Sequence, residues 1–166
     1  MTLARSIVGQ QISVKAAQSV WDKLILKIED VTPDKVHKIH SNSLKSVGLS
    51  RQKVLYLKNL SKAFINKELN VGVWNKMTDE EIIEDLIKIK GIGRWTAEMF
   101  LIFNLCRADI FPLDDIGMIK AISRVYGFKY PIKRIDLINI GNKWRPYRSV
   151  ATWYLWRSLD PIPVEY

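Results

Sequence analysis

Apolar residues in this 166-residue chain recur every three or four positions, and no stretch alternates convincingly with the period of two that a half-buried strand requires. Residues 3–28 carry Ile7, Val8, Ile12, Ala16, Val20, Leu24 and Leu26 at helical spacing, which predicts one long helix. Thr32 followed by Pro33 reads as an N-cap with proline in the first turn. Residues 50–67 place Val54, Leu57, Leu60, Ala63 and Phe64 on one face with lysines opposite. Thr78 and Glu81 form a capping box opening a helix over 79–89, and helix resumes over 94–105, 114–127 and 148–159. The predicted class is all-α.

The length suits a single helical domain, residues 1–166, with room for two small lobes sharing a cleft. Hydrophobic residues make up 48%, enough for a real core. No apolar run approaches the roughly 20 residues that span a bilayer, and no signal peptide is visible, so the expectation is a soluble cytoplasmic chain without a membrane partner. Cys106 is the only cysteine, which excludes internal disulfides and cysteine-ligated metal or iron–sulfur centres. His37 and His40 lie in a polar stretch and suggest neither a metal site nor catalysis. The net charge of +9 favours a polyanionic partner, but a merely solvated basic surface explains it equally well.

One segment breaks the helical pattern on purpose. In "IKIKGIGRWTAEMF" (87–100), Gly91 and Gly93 interrupt an otherwise helical run, although one helical glycine costs roughly 0.5–1 kcal/mol relative to alanine. A capped helix, a short glycine turn and a second helix make a helix–hairpin–helix at about 79–105. Such a turn aims the N–H groups of the following helix at an anion, helped by the positive end of its dipole. Lys90 and Arg94 flank the turn as further phosphate contacts. A tight structural turn is the competing explanation, and the segment alone favours DNA-backbone binding only modestly.

The blocks "SIVGQQISVKAA" (6–17), "GLSRQKVLYL" (48–57), "IKGIGRWTAEMF" (89–100), "FPLDDIGMIKAI" (111–122) and "WRPYRSVATWYLW" (144–156) follow in order along nearly the whole chain. Together they resemble the helix–hairpin–helix DNA glycosylases, in particular the DNA-3-methyladenine glycosylase II branch that removes alkylated bases. The resemblance implies two helical lobes around a cleft, with N-terminal elements of the family shortened or absent. It also implies an enzyme that excises 3-methyladenine and 7-methylguanine from double-stranded DNA as a monomer, working on nucleoid DNA. No cofactor is implied, beyond room for a monovalent cation at the hairpin. Lys90 departs from the pattern, since the family usually has proline there.

By the same resemblance the second of two adjacent carboxylates, Asp115, is catalytic. Asp114 is then structural, with Arg148 as its expected partner. The bland explanation is that both aspartates only cap a helix. The two roles are compatible, because the helix N-terminus favours an anion and cleavage of an N-glycosidic bond builds positive charge on the sugar. Trp95 stands where bifunctional relatives carry a Schiff-base lysine, which implies hydrolysis by water without strand cleavage. Trp95 and Trp156 are expected as walls of a base pocket attractive to a cationic purine, with Met99 and Ile116 at positions where relatives have aromatics. Trp21, Trp74 and Trp144 read as packing. Gln11 matches the side chain that fills the gap left by a flipped nucleotide, with Gln10 beside it. Three other classes compete: a non-catalytic helix–hairpin–helix DNA-binding module, a glycosylase for deaminated or mismatched bases, and a purely structural helical protein.

Overall fold

The computed structural model describes residues 2–69 and 71–159, and among them every regular element is helical. The chain divides into two compact units, one running to Ala97 and the next beginning at Glu98.

In the first unit, α1 (Thr2–Gly9), α2 (Val14–Ile28), α3 (Pro33–Lys38), α4 (Ser41–Ser46) and α5 (Arg51–Ile65) precede a 3-10 turn over Val71–Lys76 and α6 (Asp79–Ile87). The α5 helix is central and packs on α1, α3 and α4. Its apolar face buries Val54, Leu57, Leu60 and Ala63, as the spacing predicted. Two α5 lysines donate to carbonyls at the C-terminal ends of neighbouring helices, where acceptors lack intrahelical donors. Lys53 Nζ donates to Val8 O at 2.7 Å, and Lys58 Nζ donates to His37 O at 2.6 Å and to Ile39 O. Partial burial pushes both ammonium groups below the usual lysine range. Trp21 and Trp74 are buried as expected. His40 serves as the cap of α4, its Nδ1 accepting from Asn42 N.

The single helix predicted over 3–28 is two helices. The chain leaves α1 at Gly9, passes through Gln11 in the left-handed region (φ +59°), and restarts at Ser13, whose hydroxyl accepts from Ala16 N at 3.3 Å. Serine satisfies an orphan N–H at a helix start better than it serves mid-helix, so a break there costs little.

In the second unit α7 (Arg94–Phe103), which starts before the boundary, is followed by α8 (Ile116–Tyr126), α9 (Arg134–Asn142) and α10 (Arg148–Leu159). Met118, Ala121 and Ile122 of α8 pack with Leu137, Ile140 and Leu155. Trp144 joins this cluster, edge-on to Phe111 with ring centroids 5.6 Å apart. The α9 helix, which the sequence reading does not identify, has no side-chain N-cap and a poorly defined apolar face. The α10 helix turns Ser149, Thr152 and Leu155 inward and leaves Val150, Trp153 and Tyr154 exposed.

The loop between α7 and α8 is stitched to the start of α10. Asp109 accepts from Arg148 Nε at 2.6 Å and Nη2 at 2.9 Å, and from Arg145 Nη1 at 2.9 Å. Ser149 Oγ donates to Arg107 O at 2.6 Å and accepts from Ile110 N at 2.9 Å. The Arg148 hydrogen bonds, then its charge and that of Arg145, hold the Asp109 carboxyl below the usual carboxylate range. A depressed folded pKa stabilises the protein above the unfolded value near 4 and loses that contribution as pH falls through the folded value. Asp109→Asn is therefore expected to cost about 2 kcal/mol at pH 7, with the gap to the parent protein closing below about pH 4. Denaturant titrations between pH 3 and 7 measure that gap.

Candidate active site

The hairpin in the first unit is held from both ends. The α6 capping box is complete: Thr78 Oγ1 accepts from Glu81 N, and Glu81 Oε2 accepts from Thr78 N at 2.7 Å. After α6, Ile89 N and Ile92 N donate to Leu86 O and Ile89 O, tightening the chain into the turn. Gly91 has φ +111°, and a Cβ on it would lie 2.3 Å from Cγ of Tyr56, so the position demands glycine twice over. Gly93 is different: its backbone is ordinary and a Cβ would meet nothing within 4 Å. Gly93 O accepts from Ala97 N at 3.0 Å, which makes Gly93 the cap residue of α7.

A polar cleft of about 340 Å³ opens beside this turn, lined by Gln10, Gln11, Ser50, Gln52, Lys53, Tyr56 and Gly91–Gly93. Gln10 Nε2 donates to Gly91 O at 3.0 Å, joining the break between α1 and α2 to the hairpin. Gln11 is exposed beside it in a left-handed conformation that glutamine has no intrinsic reason to adopt.

In the second unit, Asp115 is the N-cap of α8 and is buried, with 9% of its surface exposed. Its Oδ1 accepts from Met118 N at 2.6 Å and from the Trp156 indole Nε1 at 2.8 Å. Trp156 is half-buried and stacks on Phe103, with ring centroids 5.9 Å apart and planes 20° off parallel. Asp114, one residue earlier, is exposed and accepts from Arg134 Nη1 at 2.7 Å. Of the two adjacent carboxylates, only Asp115 is withdrawn from water.

Residues 4–145 match the family described as "HhH-GPD superfamily base excision DNA repair protein". The chain belongs to that superfamily. It is 31% identical to the Alkylbase DNA glycosidase-like protein mag2 of Schizosaccharomyces pombe over 93% of this chain and 75% of mag2. It is 28% identical to the putative DNA-3-methyladenine glycosylase YfjP of Bacillus subtilis, of whose length it spans 58%. Among solved structures, the S. pombe 3-methyladenine DNA glycosylase Mag1 in complex with abasic DNA superposes with a TM-score of 0.86 at 28% identity, covering 99% of this chain and 82% of that one. The DNA-3-methyladenine glycosidase of Bacillus halodurans gives 0.84 at 30% identity, covering 95% and 74%.

Against this HhH-GPD fold, several expectations need correction. Arg148 does not pair with Asp114; it closes on Asp109, and Arg134 takes Asp114. Arg94 is half exposed beside the turn, and its guanidinium binds both oxygens of Glu80 at 2.6 and 2.7 Å. That fork bridges the first turns of α6 and α7, and it holds the Glu80 carboxyl below the usual range. Met99 has no exposed surface and so lines no open pocket. It falls on the inner face of α7, while Trp95 on the first turn is 39% exposed and Ile116 is 61% exposed. Lys90, Gly93 and Gln11 are exposed.

The sequence reading missed Phe103, Tyr56 and Asp109, the groups that support the site rather than form it. One signal was legible: Gly117 lies in the second position of a good helix, where glycine is costly unless something passes close.

Gly93 offers a clean test of the hairpin. Asp is a better N-cap than glycine and suits the positive helix end, so Gly93→Asp should leave thermal stability unchanged or slightly raised. The same charge repels a phosphate. The expected result is weaker binding to damaged and undamaged duplexes alike, with the slope of log K against log salt shallower by about 0.9 for the lost contact.

Proposed function

We propose that this protein is a monofunctional DNA glycosylase that removes alkylated purines, 3-methyladenine and 7-methylguanine, from double-stranded DNA by hydrolysis of the N-glycosidic bond. The observation that carries the reading is the buried carboxylate of Asp115, fixed by two N–H donors at a helix start in a chain of the HhH-GPD superfamily. Relatives named as DNA-3-methyladenine glycosylases, among them one of Schizosaccharomyces pombe, support the substrate class.

The chemistry follows from charge. As the bond to an alkylated purine lengthens, its electrons leave with the base and the sugar becomes cationic. A fixed anion beside C1′ stabilises that charge and orients the water that adds to it. An alkylated purine already carries positive charge and leaves well without a general acid. Exposed Trp95 supplies a π face that attracts such a cation by about 2 kcal/mol when desolvated. The hairpin, with Gly93 and Lys90, holds the phosphate backbone, and Gln11 fills the stack when the nucleotide turns out. Asp115 separates this reading from a DNA-binding module, which needs no buried carboxylate. The protein acts as a monomer and needs no cofactor.

The test is a duplex with one 7-methylguanine, incubated with the protein and scored for free base and strand integrity. The expected products are free 7-methylguanine and an intact strand with an abasic site, released faster than hypoxanthine from a matched duplex. Because tryptophan at position 95 cannot form a Schiff base, borohydride should trap no covalent enzyme–DNA adduct. A trapped adduct overturns the monofunctional assignment, and absence of base release overturns the enzyme.

A further inference from the structure

We propose that Trp156 is a positioning residue for the Asp115 carboxylate, acting through its indole N–H and not only through the face of its ring. The inference rests on the reading of Asp115 as the anion that answers the sugar cation. Trp156 Nε1 donates to Asp115 Oδ1 at 2.8 Å, and the same oxygen takes Met118 N at 2.6 Å. One donor comes from the helix that Asp115 caps, the other from a helix 41 residues away in sequence. Together they restrain the rotation of the carboxylate that a single capping bond leaves open.

The surroundings keep the indole in place for this task. One face of Trp156 lies against Phe103. The edge carrying Nε1 lies against Gly117, where a Cβ would come within 3.2 Å of Asp115 Oδ1, 3.4 Å of Trp156 Cδ1 and 3.5 Å of Nε1. A side chain at 117 therefore crowds the Asp115 oxygen and reaches the indole edge at ordinary contact distance. Trp153, three residues earlier on α10, shows that an aromatic on this helix need not be so used: it is exposed, with Arg157 over its ring.

The experiment compares Trp156→Phe, Gly117→Ala and Asp115→Asn in the full chain. Single-turnover release of 7-methylguanine is measured beside affinity for two duplexes, one with a pyrrolidine sugar analogue that is cationic at neutral pH and one with neutral tetrahydrofuran. Trp156→Phe keeps a ring against Phe103 but has no N–H. Release is expected to slow by about ten- to a hundredfold, the worth of one hydrogen bond to a charged group. Preference for the cationic over the neutral analogue should fall by a similar factor, while tetrahydrofuran affinity holds. Gly117→Ala keeps the indole and crowds the carboxylate oxygen to which it donates. It should shift the same preference in the same direction, and it decides the matter if Trp156→Phe does not fold. Equal weakening of both analogues, or unchanged rates and preference, overturns the positioning role. Asp115→Asn keeps the two questions apart. If it excises at the parental rate, the reading of Asp115 fails; if it is inactive while both other variants behave as the parent, only the inference about Trp156 falls.

Discussion

Asp115→Asn is expected to lower base excision by at least 10²–10³-fold while DNA affinity and stability stay close to those of the parent, because it removes one transition-state charge partner and little else. Asparagine is as good an N-cap as aspartate, and its amide oxygen can still accept from Met118 N and from the Trp156 indole. The variant thus removes the charge and keeps the shape. Asp114→Asn is the internal control. Its ion pair with Arg134 is exposed, and its loss should leave excision near the parental rate. If the two variants exchanged behaviour, the catalytic assignment would move by one residue. Single-turnover base release with matched DNA-binding isotherms makes the comparison.

The second large effect is on folding. Gly91→Ala should destabilise the protein by about 3 kcal/mol or more, since it adds left-handed strain at φ +111° to a Cβ lodged 2.3 Å from the Tyr56 ring. Tyr56 lies on the central helix α5, so relief requires either the hairpin or α5 to shift. Gly93→Ala, two residues on, should cost no more than about 1 kcal/mol, the difference between glycine and alanine at an N-cap, as its Cβ meets open space on ordinary backbone. Denaturant midpoints of the two variants give the contrast. Equal effects would mean that the turn is set by glycine content and not by contact with Tyr56.

These two glycines show how far the sequence could be read. The pattern marked both as breaks in a helix and placed the hairpin correctly. It could not tell that Gly91 meets a ring 35 positions upstream while Gly93 meets nothing, because Tyr56 lies far outside a helical turn of either. The tryptophans divide in the same way. Trp21 and Trp74, read as packing residues, are in the core. Trp153 and Trp156 share a helix with little amphipathic bias, so spacing alone could not say which one turns inward.

What the sequence determined by itself was whatever depends on neighbours three or four residues apart. That covers the helical class, the capping box of Thr78 and Glu81, the cap at Thr32, and the buried face of α5. Spacing along the chain is the physical cause of each. The tertiary structure alone decided which charges meet: Arg94 with Glu80 across 14 residues, Arg148 with Asp109 across 39, and the Trp156 indole with Asp115 across 41. A cation on a basic chain has many carboxylates within its reach in sequence. Backbone packing selects among them, because a two-pronged guanidinium or an indole N–H binds well only where distance and direction are both already set.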